Sequence, residues 1–183
     1  GFKTTTYDLE GEVLDRKDIS HLKEEEILDA INSFKGTYNQ IPPMYSALKK
    51  DGVRLYDLAR QGIEVEREGR DITIFDIKDI DINLPEITMT VTCSKGTYIR
   101  TLGEDIAYRL GELGHLVSLR RTRVGRFNVE DSKDVDLISC DDIVRIKDAV
   151  EFKTIEVDAR IEKLVRNGHK IKPDDKIVCI EGG

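Results

Sequence analysis

The residues of this 183-residue chain best suited to chemistry lie in one stretch, Cys93-Ser94-Lys95-Gly96-Thr97-Tyr98-Ile99-Arg100-Thr101-Leu102. Arg100 carries a planar guanidinium that matches a carboxylate or a phosphate through paired hydrogen bonds. It falls at the start of an expected helix, where the dipole is positive and a cation costs about 0.3–1 kcal/mol unless an anion offsets it. Two readings follow. Either Arg100 is solvated or paired with a structural Asp or Glu, or it is aimed at a functional carboxylate or an RNA phosphate. More cations follow at Arg120, Arg121, Arg123 and Arg126, with Lys95, Lys49, Lys50, Arg54 and Arg60 elsewhere. Such a strip can be a solvated edge that blocks aggregation or a phosphate-binding surface; the second is favoured here. Metal and thiol chemistry are poorly served. Cys93, Cys140 and Cys179 are isolated and His21, His115 and His169 dispersed. The cysteines read as reduced core residues of a cytosolic protein, and no zinc site, other metal site or disulfide framework is expected.

The elements that must position these groups can be read from periodicity. Ile87, Met89, Val91 and Cys93 alternate with Thr88, Thr90, Thr92 and Ser94, which predicts a half-buried strand. Ile99, Leu102, Ile106 and Leu110 then recur at helical spacing. The stretch is therefore a strand, a Lys-Gly turn and a helix start. Thr97 is the expected N-cap, with Thr101 and Glu104 as a rival capping box. Upstream, residues 2–14 read as two strands about a turn at Glu10-Gly11. A helix is predicted from about Glu24 to Lys35, with Ile27, Ala30, Ile31 and Phe34 on its apolar face and three glutamates in its first turn. Pro42-Pro43 holds a stiff extended segment. Asp51-Gly52 predicts a hairpin, followed by a short helix ended by Gly62. Ile72–Ile80 and Glu86–Ser94 should pair antiparallel across Asn83-Leu84-Pro85. Val117–Arg123 reads as a strand with Arg121 and Arg123 on one face and Arg120 on the other. Helices are expected at Asp141–Val150 and Asp158–Asn167, the latter with Ile161, Leu164 and Val165 inward, and a last strand at Ile177–Ile180. The fold class is α+β, a mixed but largely antiparallel sheet with packed helices, plus a truncated C-terminal segment.

Composition bounds the rest. The net charge is −7, which opposes a protein basic overall but not a local basic face. Charged residues are 36% and hydrophobic residues 39%, as in a soluble globular domain with a substantial core. No apolar run approaches a membrane span, and no signal-peptide pattern opens the chain. The chain starts at Gly1, directly on a Thr-rich extended stretch, as expected of a piece of a longer protein or of one whose leading segment was removed.

Four blocks carry a family resemblance. They are Gly1-x-x-Thr4-x-Thr6-x-Asp8-x-x-Gly11-x-Val13; Gln40-Ile41-Pro42-Pro43-Met44-Tyr45-Ser46-Ala47-Leu48-Lys49 with Gly52, Leu55-Tyr56 and Ala59-Arg60-x-Gly62; the Cys93–Leu102 stretch; and Leu119-Arg120-Arg121-Thr122 with Gly125 and Phe127. In order and spacing, through residues 1–139, the chain resembles the bacterial TruB family of tRNA pseudouridine synthases. The second and third blocks are long and specific. Residues Ile161–Ile171, with Asn167-Gly168-His169-Lys170-Ile171, weakly resemble the opening of that family's PUA-like RNA-binding domain. The implied division is a catalytic portion at 1–139 and, at 140–183, a linker with part of a C-terminal domain.

The resemblance implies an isomerase that needs no cofactor or metal. It flips a uridine out of the T-loop of tRNA, detaches the base, rotates it and rejoins it through carbon, because stacking otherwise hides the glycosidic bond. Arg100 matches the arginine that pairs with the family's catalytic Asp, Tyr98 a neighbour lining the pocket, and Leu119 an apolar contact near the base. Lys95, Arg120 and Arg121 fall where contacts to the RNA backbone are expected. The catalytic Asp belongs to a Gly-Thr-Leu-Asp-Pro loop and the base-stacking Tyr to a Lys-x-Tyr strand, both upstream of the first block; neither motif occurs here. The expectation is a cytoplasmic tRNA-modifying enzyme that acts on the T-arm, with no membrane and no obligate protein partner. This chain alone should be inactive, and Arg100 should lack its partner. The alternatives are a non-catalytic tRNA-binding module and a structured protein whose basic strip binds nothing.

Overall fold

Alternation and turn chemistry account for most elements of the computed structural model, which describes residues 1–150, 155–170 and 178–179. The chain divides into two compact units, Gly1–Arg120 and Arg121–Gly183. In the first, β1 (Phe2–Thr4) pairs antiparallel with β2 (Val13–Arg16). The loop between them contributes a parallel bridge from Asp8 to Leu116.

Helix α1 (Glu24–Asn32) begins on three glutamates that complement its dipole. The Glu26 carboxylate accepts the Lys23 backbone N–H at 3.1 Å. Its end comes three residues sooner than the apolar pattern suggests. The Asn32 amide donates to the Leu28 carbonyl at 2.9 Å and the Ser33 hydroxyl to the Ala30 carbonyl at 2.7 Å, so side chains satisfy the last turn.

Strand β3 (Gly36–Gln40) leads through Pro42-Pro43 to the hairpin of β4 (Lys49–Lys50) and β5 (Val53–Arg54). Asp51 and Gly52 have φ of 52° and 83°, the left-handed pair that a tight hairpin turn requires. Helix α2 (Leu55–Arg60) follows directly. Strands β6 (Arg70–Asn83) and β7 (Glu86–Cys93) then build an antiparallel sheet in the order β3-β6-β7. Strand β6 runs three residues past Ile80, and its spacing explains how. Ile72, Ile74, Ile77, Ile80 and Ile82 are separated by two or three residues. Each three-residue step coincides with a register shift, at Phe75 and near Asp79, whose φ is 52°. An extra residue in a ladder reverses the facing of everything after it. Two bulges therefore keep all five isoleucines on the core side, while Phe75 is left 62% exposed.

Helix α3 (Ile99–Arg109) lies with α1 against this sheet. Ile27, Ile31, Ile72, Ile74, Ile77, Leu102 and Ile106 form the buried cluster, with Ile80, Ile82, Ile87, Met89, Val91 and Cys93 packed on it. Each such side chain contributes about 1.5–3 kcal/mol by burial. The class is α+β, with antiparallel ladders throughout the described sheets.

Beyond Leu116 the chain differs from the sequence expectation in several places. Residues 117–122 form no strand; the pairing begins only at β8 (Arg123–Val124) with β9 (Phe127–Asn128). Without a neighbouring strand among the described residues, there is no ladder to alternate Arg120 and Arg121 between faces. The helix expected over Asp141–Val150 is reduced to a 3₁₀ turn at Cys140–Asp142 and a short α4 (Ile146–Ala149). Asp142 is drawn back onto Ser139, accepting its backbone N–H at 2.9 Å and its hydroxyl at 3.0 Å, and local bonding of that kind competes with a continuous helix. Beyond β10 (Ile155–Glu156), helix α5 (Ala159–Arg166) is capped by Asp158, whose carboxylate accepts the Ile161 N–H at 2.8 Å. Ile161 is buried, but Val165 is 46% exposed rather than inward. Strand β11 (Val178–Cys179) pairs with β10; the flanking Ile177 and Ile180 lie outside the described residues. Cys140 is exposed, so it is not the core cysteine expected of it. Among the described residues no helix is long and apolar enough to cross a membrane.

Candidate active site

Arg100 does enter in the first turn of α3, and its charge is answered from within the chain. One guanidinium nitrogen donates to Asp8 Oδ2 at 3.0 Å and to the Thr6 carbonyl at 3.1 Å; the other donates to the Tyr45 carbonyl at 2.8 Å. The ion pair is sheltered, with side-chain exposures of 27% and 22%. The reading of Arg100 as paired with a structural Asp is met by Asp8, whereas the upstream catalytic Asp that the resemblance gives it is a different carboxylate, absent from these 183 residues. Asp8 lies 92 residues away in sequence, and the Asp8–Leu116 bridge and the hydrogen bond from Leu116 N to the Tyr7 carbonyl at 2.9 Å seat its loop.

Asp8 is built to hold rather than to react. Burial opposes its ionisation, but bonds from the Thr6 hydroxyl (2.5 Å) and the Glu10 N–H (3.1 Å), together with Arg100, outweigh it and keep its pKa below the ordinary carboxylate value. The Thr6 and Glu10 donors both take Oδ1, and Arg100 takes Oδ2. A carboxylate so engaged is a weak base and a weak nucleophile. Arg100 is less committed. Three of its five N–H donors are used, and two remain for a second carboxylate or a phosphate.

The turn that presents Arg100 is fixed from β6 and β3. Ser94 exchanges two bonds with Thr73, its Oγ accepting Thr73 N at 2.9 Å and its N–H donating to Thr73 O at 2.8 Å. Gly96 has φ of 88°, which closes the Lys-Gly turn. The Thr97 hydroxyl is not the N-cap; it donates to the Ser94 carbonyl at 2.9 Å. Tyr98 takes the cap position with no capping side chain of its own. The rival Thr101–Glu104 box does not form either, because Glu104 pairs with Lys3 at 2.8 Å.

Sequence reasoning missed Gln40, the last residue of β3, 2% exposed. Its Oε1 accepts Tyr98 N at 2.9 Å, and its Nε2 donates to Tyr98 O at 3.2 Å and to the Tyr38 hydroxyl at 2.8 Å. The Tyr38 hydroxyl donates in turn to Asp105 Oδ2 at 3.2 Å. Burial, then the Asp105 charge, pushes the Tyr38 hydroxyl well up, so it stays protonated. Burial also raises Asp105, against the Tyr38 hydrogen bond. The available signal was a Gln two residues after a Tyr at the mouth of the Pro-Pro segment, a polar pair on one strand face.

The site residues foreseen from the sequence are thus partly assembled. Tyr98 and Arg100 share the helix entrance, and Lys95 stands exposed in the adjoining turn. Leu119 and Arg120 are exposed; Leu119 is 57% accessible, and lies three residues past the Leu116 that bridges Asp8. Three residues of chain span at most about 11 Å. Arg121 is the first residue of the second unit and is exposed.

The arrangement provides a sheltered arginine with free donors, beside an aromatic residue and ahead of exposed cations. Its comparisons are consistent along the chain. The family model described as TruB family pseudouridylate synthase, N-terminal domain, matches residues 1–99, and that of the tRNA pseudouridylate synthase B C-terminal domain matches residues 100–167. The chain is similar to the tRNA pseudouridine synthase B of Clostridium tetani, at 47% identity over 94% of this chain and 61% of the relative. It is similar to that of Clostridium perfringens at 49%, over 93% and 60%. With that of Burkholderia mallei it shares 43%, over 94% and 59%. The chain thus spans about 60% of the length of these relatives. With the N-terminal model alone accounting for residues 1–99 of 183, the chain belongs to the TruB family of pseudouridylate synthases.

Proposed function

We propose that the whole protein is a cytoplasmic isomerase that converts the T-loop uridine of tRNA to pseudouridine without cofactor, and that these 183 residues are catalytically incomplete by themselves. Residues 1–139 belong to its catalytic domain, and 140–183 to a linker and part of an RNA-binding domain. Arg100 orients the catalytic carboxylate and Tyr98 lines the pocket. Leu119 contacts the base, while Lys95, Arg120 and Arg121 engage the T-arm backbone. The observation that carries this reading is Arg100 itself: under a third exposed, anchored on three acceptors, and left with two N–H groups for another carboxylate. A Gly-Thr-Leu-Asp-Pro segment, which the 183 residues do not contain, would supply it. Asp8 and Asp105 are poorly suited to replace it, since both Asp8 oxygens are engaged and Asp105 is bonded to Tyr38.

The test is incubation of the whole protein, and separately of this chain, with unmodified tRNA, followed by mapping of pseudouridine. Conversion by the whole protein and none by the chain is expected. Turnover by the chain would overturn its incompleteness, and binding without turnover by the whole protein would make it a binding module. tRNA affinity of the chain should be weak and fall with salt, because net charge −7 opposes long-range attraction. Replacing Lys95, Arg120 or Arg121 by Ala should each reduce the salt slope by about 0.7–0.9 if the residue meets a phosphate. A titration at two salt concentrations measures it.

A further inference from the structure

Helix α3 has no side chain of its own at its N-cap, yet its entrance is the most important corner of the site. The group that fixes it comes from β3. Gln40 meets the Tyr98 backbone with both ends of its amide, acceptor on N–H and donor on C=O. Only one orientation of the amide satisfies both, because an N–H needs an oxygen and a carbonyl needs an N–H. The Tyr98 carbonyl also accepts the first helical bond, from Leu102 N at 3.0 Å. A second tie lies farther along the same helix, where Asp105 accepts from Tyr38, which itself accepts from Gln40. Tyr38 and Gln40 are two apart on one strand and so share a face. Two side chains of β3 thus grip α3 at its entrance and at Asp105, on either side of Arg100.

We propose that Gln40 is a positioning residue of the isomerase: by holding the Tyr98 backbone it sets the aim of the Tyr98 ring and the Arg100 guanidinium. The proposal rests on the isomerase reading above. A buried Gln that caps a helix also serves stability; what ties Gln40 to the site is that its amide closes on the backbone of Tyr98, two residues before Arg100. The reach is long-range, 58 residues, so nothing local substitutes for it.

The variant is Gln40→Met, similar in volume and unable to make either bond, in the whole protein and in this chain. Hydrogen exchange in this chain reads the grip directly. The Tyr98 amide should lose about tenfold in protection, the equivalent of one lost hydrogen bond, while core amides such as Ile74 keep theirs. Unchanged Tyr98 protection overturns the proposal whatever the enzyme does. In the whole protein the single-turnover rate should fall about tenfold or more at nearly constant tRNA affinity, since small misplacement of a reacting group costs rate. A normal rate, or a loss confined to affinity, overturns it. Should Gln40→Met fail to fold, Tyr38→Phe keeps the amide on Tyr98 and removes its support together with the Asp105 tie; a smaller fall of the same kind is expected, and no fall counts against the proposal. If the unmutated whole protein converts no uridine, the isomerase reading fails, and the exchange result alone judges the grip.

Discussion

The two units are held together differently. In Gly1–Arg120, the decisive bonds join distant segments: Arg100 to Asp8 across 92 residues, Gln40 to Tyr98 across 58, and Lys17 to the Gly111 carbonyl across 94. They surround a cluster of seven buried apolar residues. In the described part of the second unit, the side-chain bonds are local, as in Asn128 to Asp131, Arg145 to Asp148 and Arg166 to Glu162. Large apolar side chains stay open there: Val135 is 77% exposed and Ile146 82%, and of the described apolar side chains only Ile161 is buried. Long-range bonds cost chain entropy to close, and the burial of apolar area repays it. The first unit has that burial and can therefore carry a group as exacting as a sheltered arginine.

The contrast can be broken most severely in the core. Ile31→Ala should destabilise the first unit by about 2–5 kcal/mol in chemical denaturation. A loss below about 1 kcal/mol would mean that the cluster is not what holds the unit.

Arg100→Lys sharpens it at the site. Lysine cannot reach Asp8, Thr6 and Tyr45 together, so a loss of about 1–3 kcal/mol is expected in this chain, as for a charged hydrogen-bond partner removed from a sheltered acceptor. A resemblance that places Arg100's partner only in an upstream loop would predict almost no change, and Asp8 is the reason for the difference. On the proposed isomerase reading, the single-turnover rate of the whole protein should fall strongly with little change in tRNA affinity. Weakened binding at normal rate would instead make Arg100 a phosphate contact.

Acid should act through the same pair. Asp8 is held below its ordinary value of 3.8, so its contribution is complete above that value and is lost as pH falls through the lower folded value. Asp105 is held above 3.8, so the folded state keeps its proton longer, and its contribution moves the other way, rising as pH falls. Asp8→Asn should remove part of the acid loss, and Asp105→Asn should raise relative stability near neutral pH. Denaturation midpoints across the acid range check both signs.

Smaller effects belong to the second unit. Asp158→Ala should cost about 1 kcal/mol by removing the α5 cap. Ile146→Ala should change stability by less than about 0.5 kcal/mol, as for other exposed positions. A large loss there would show that the side chain is covered in the whole protein.

What the sequence determined by itself was local. Three glutamates ahead of Ile27, Asp51-Gly52 between Lys50 and Val53, and the alternation of Ile87 to Cys93 each specify an element through neighbours within a few residues. Even the two bulges of β6 are written in its isoleucine spacing. The four blocks carried the family, and with it the choice of Arg100 and Tyr98. Tertiary structure alone decided which groups meet them. No period or turn rule links residue 8 or residue 40 to a helix that starts at residue 99; those pairings exist because β3, β6 and α3 share one core. The same dependence undid the strand expected at Val117–Arg123 and the helix at Asp141–Val150. Their patterns were short and amphipathic, and such patterns become regular structure only when a partner surface is there to bury their apolar side.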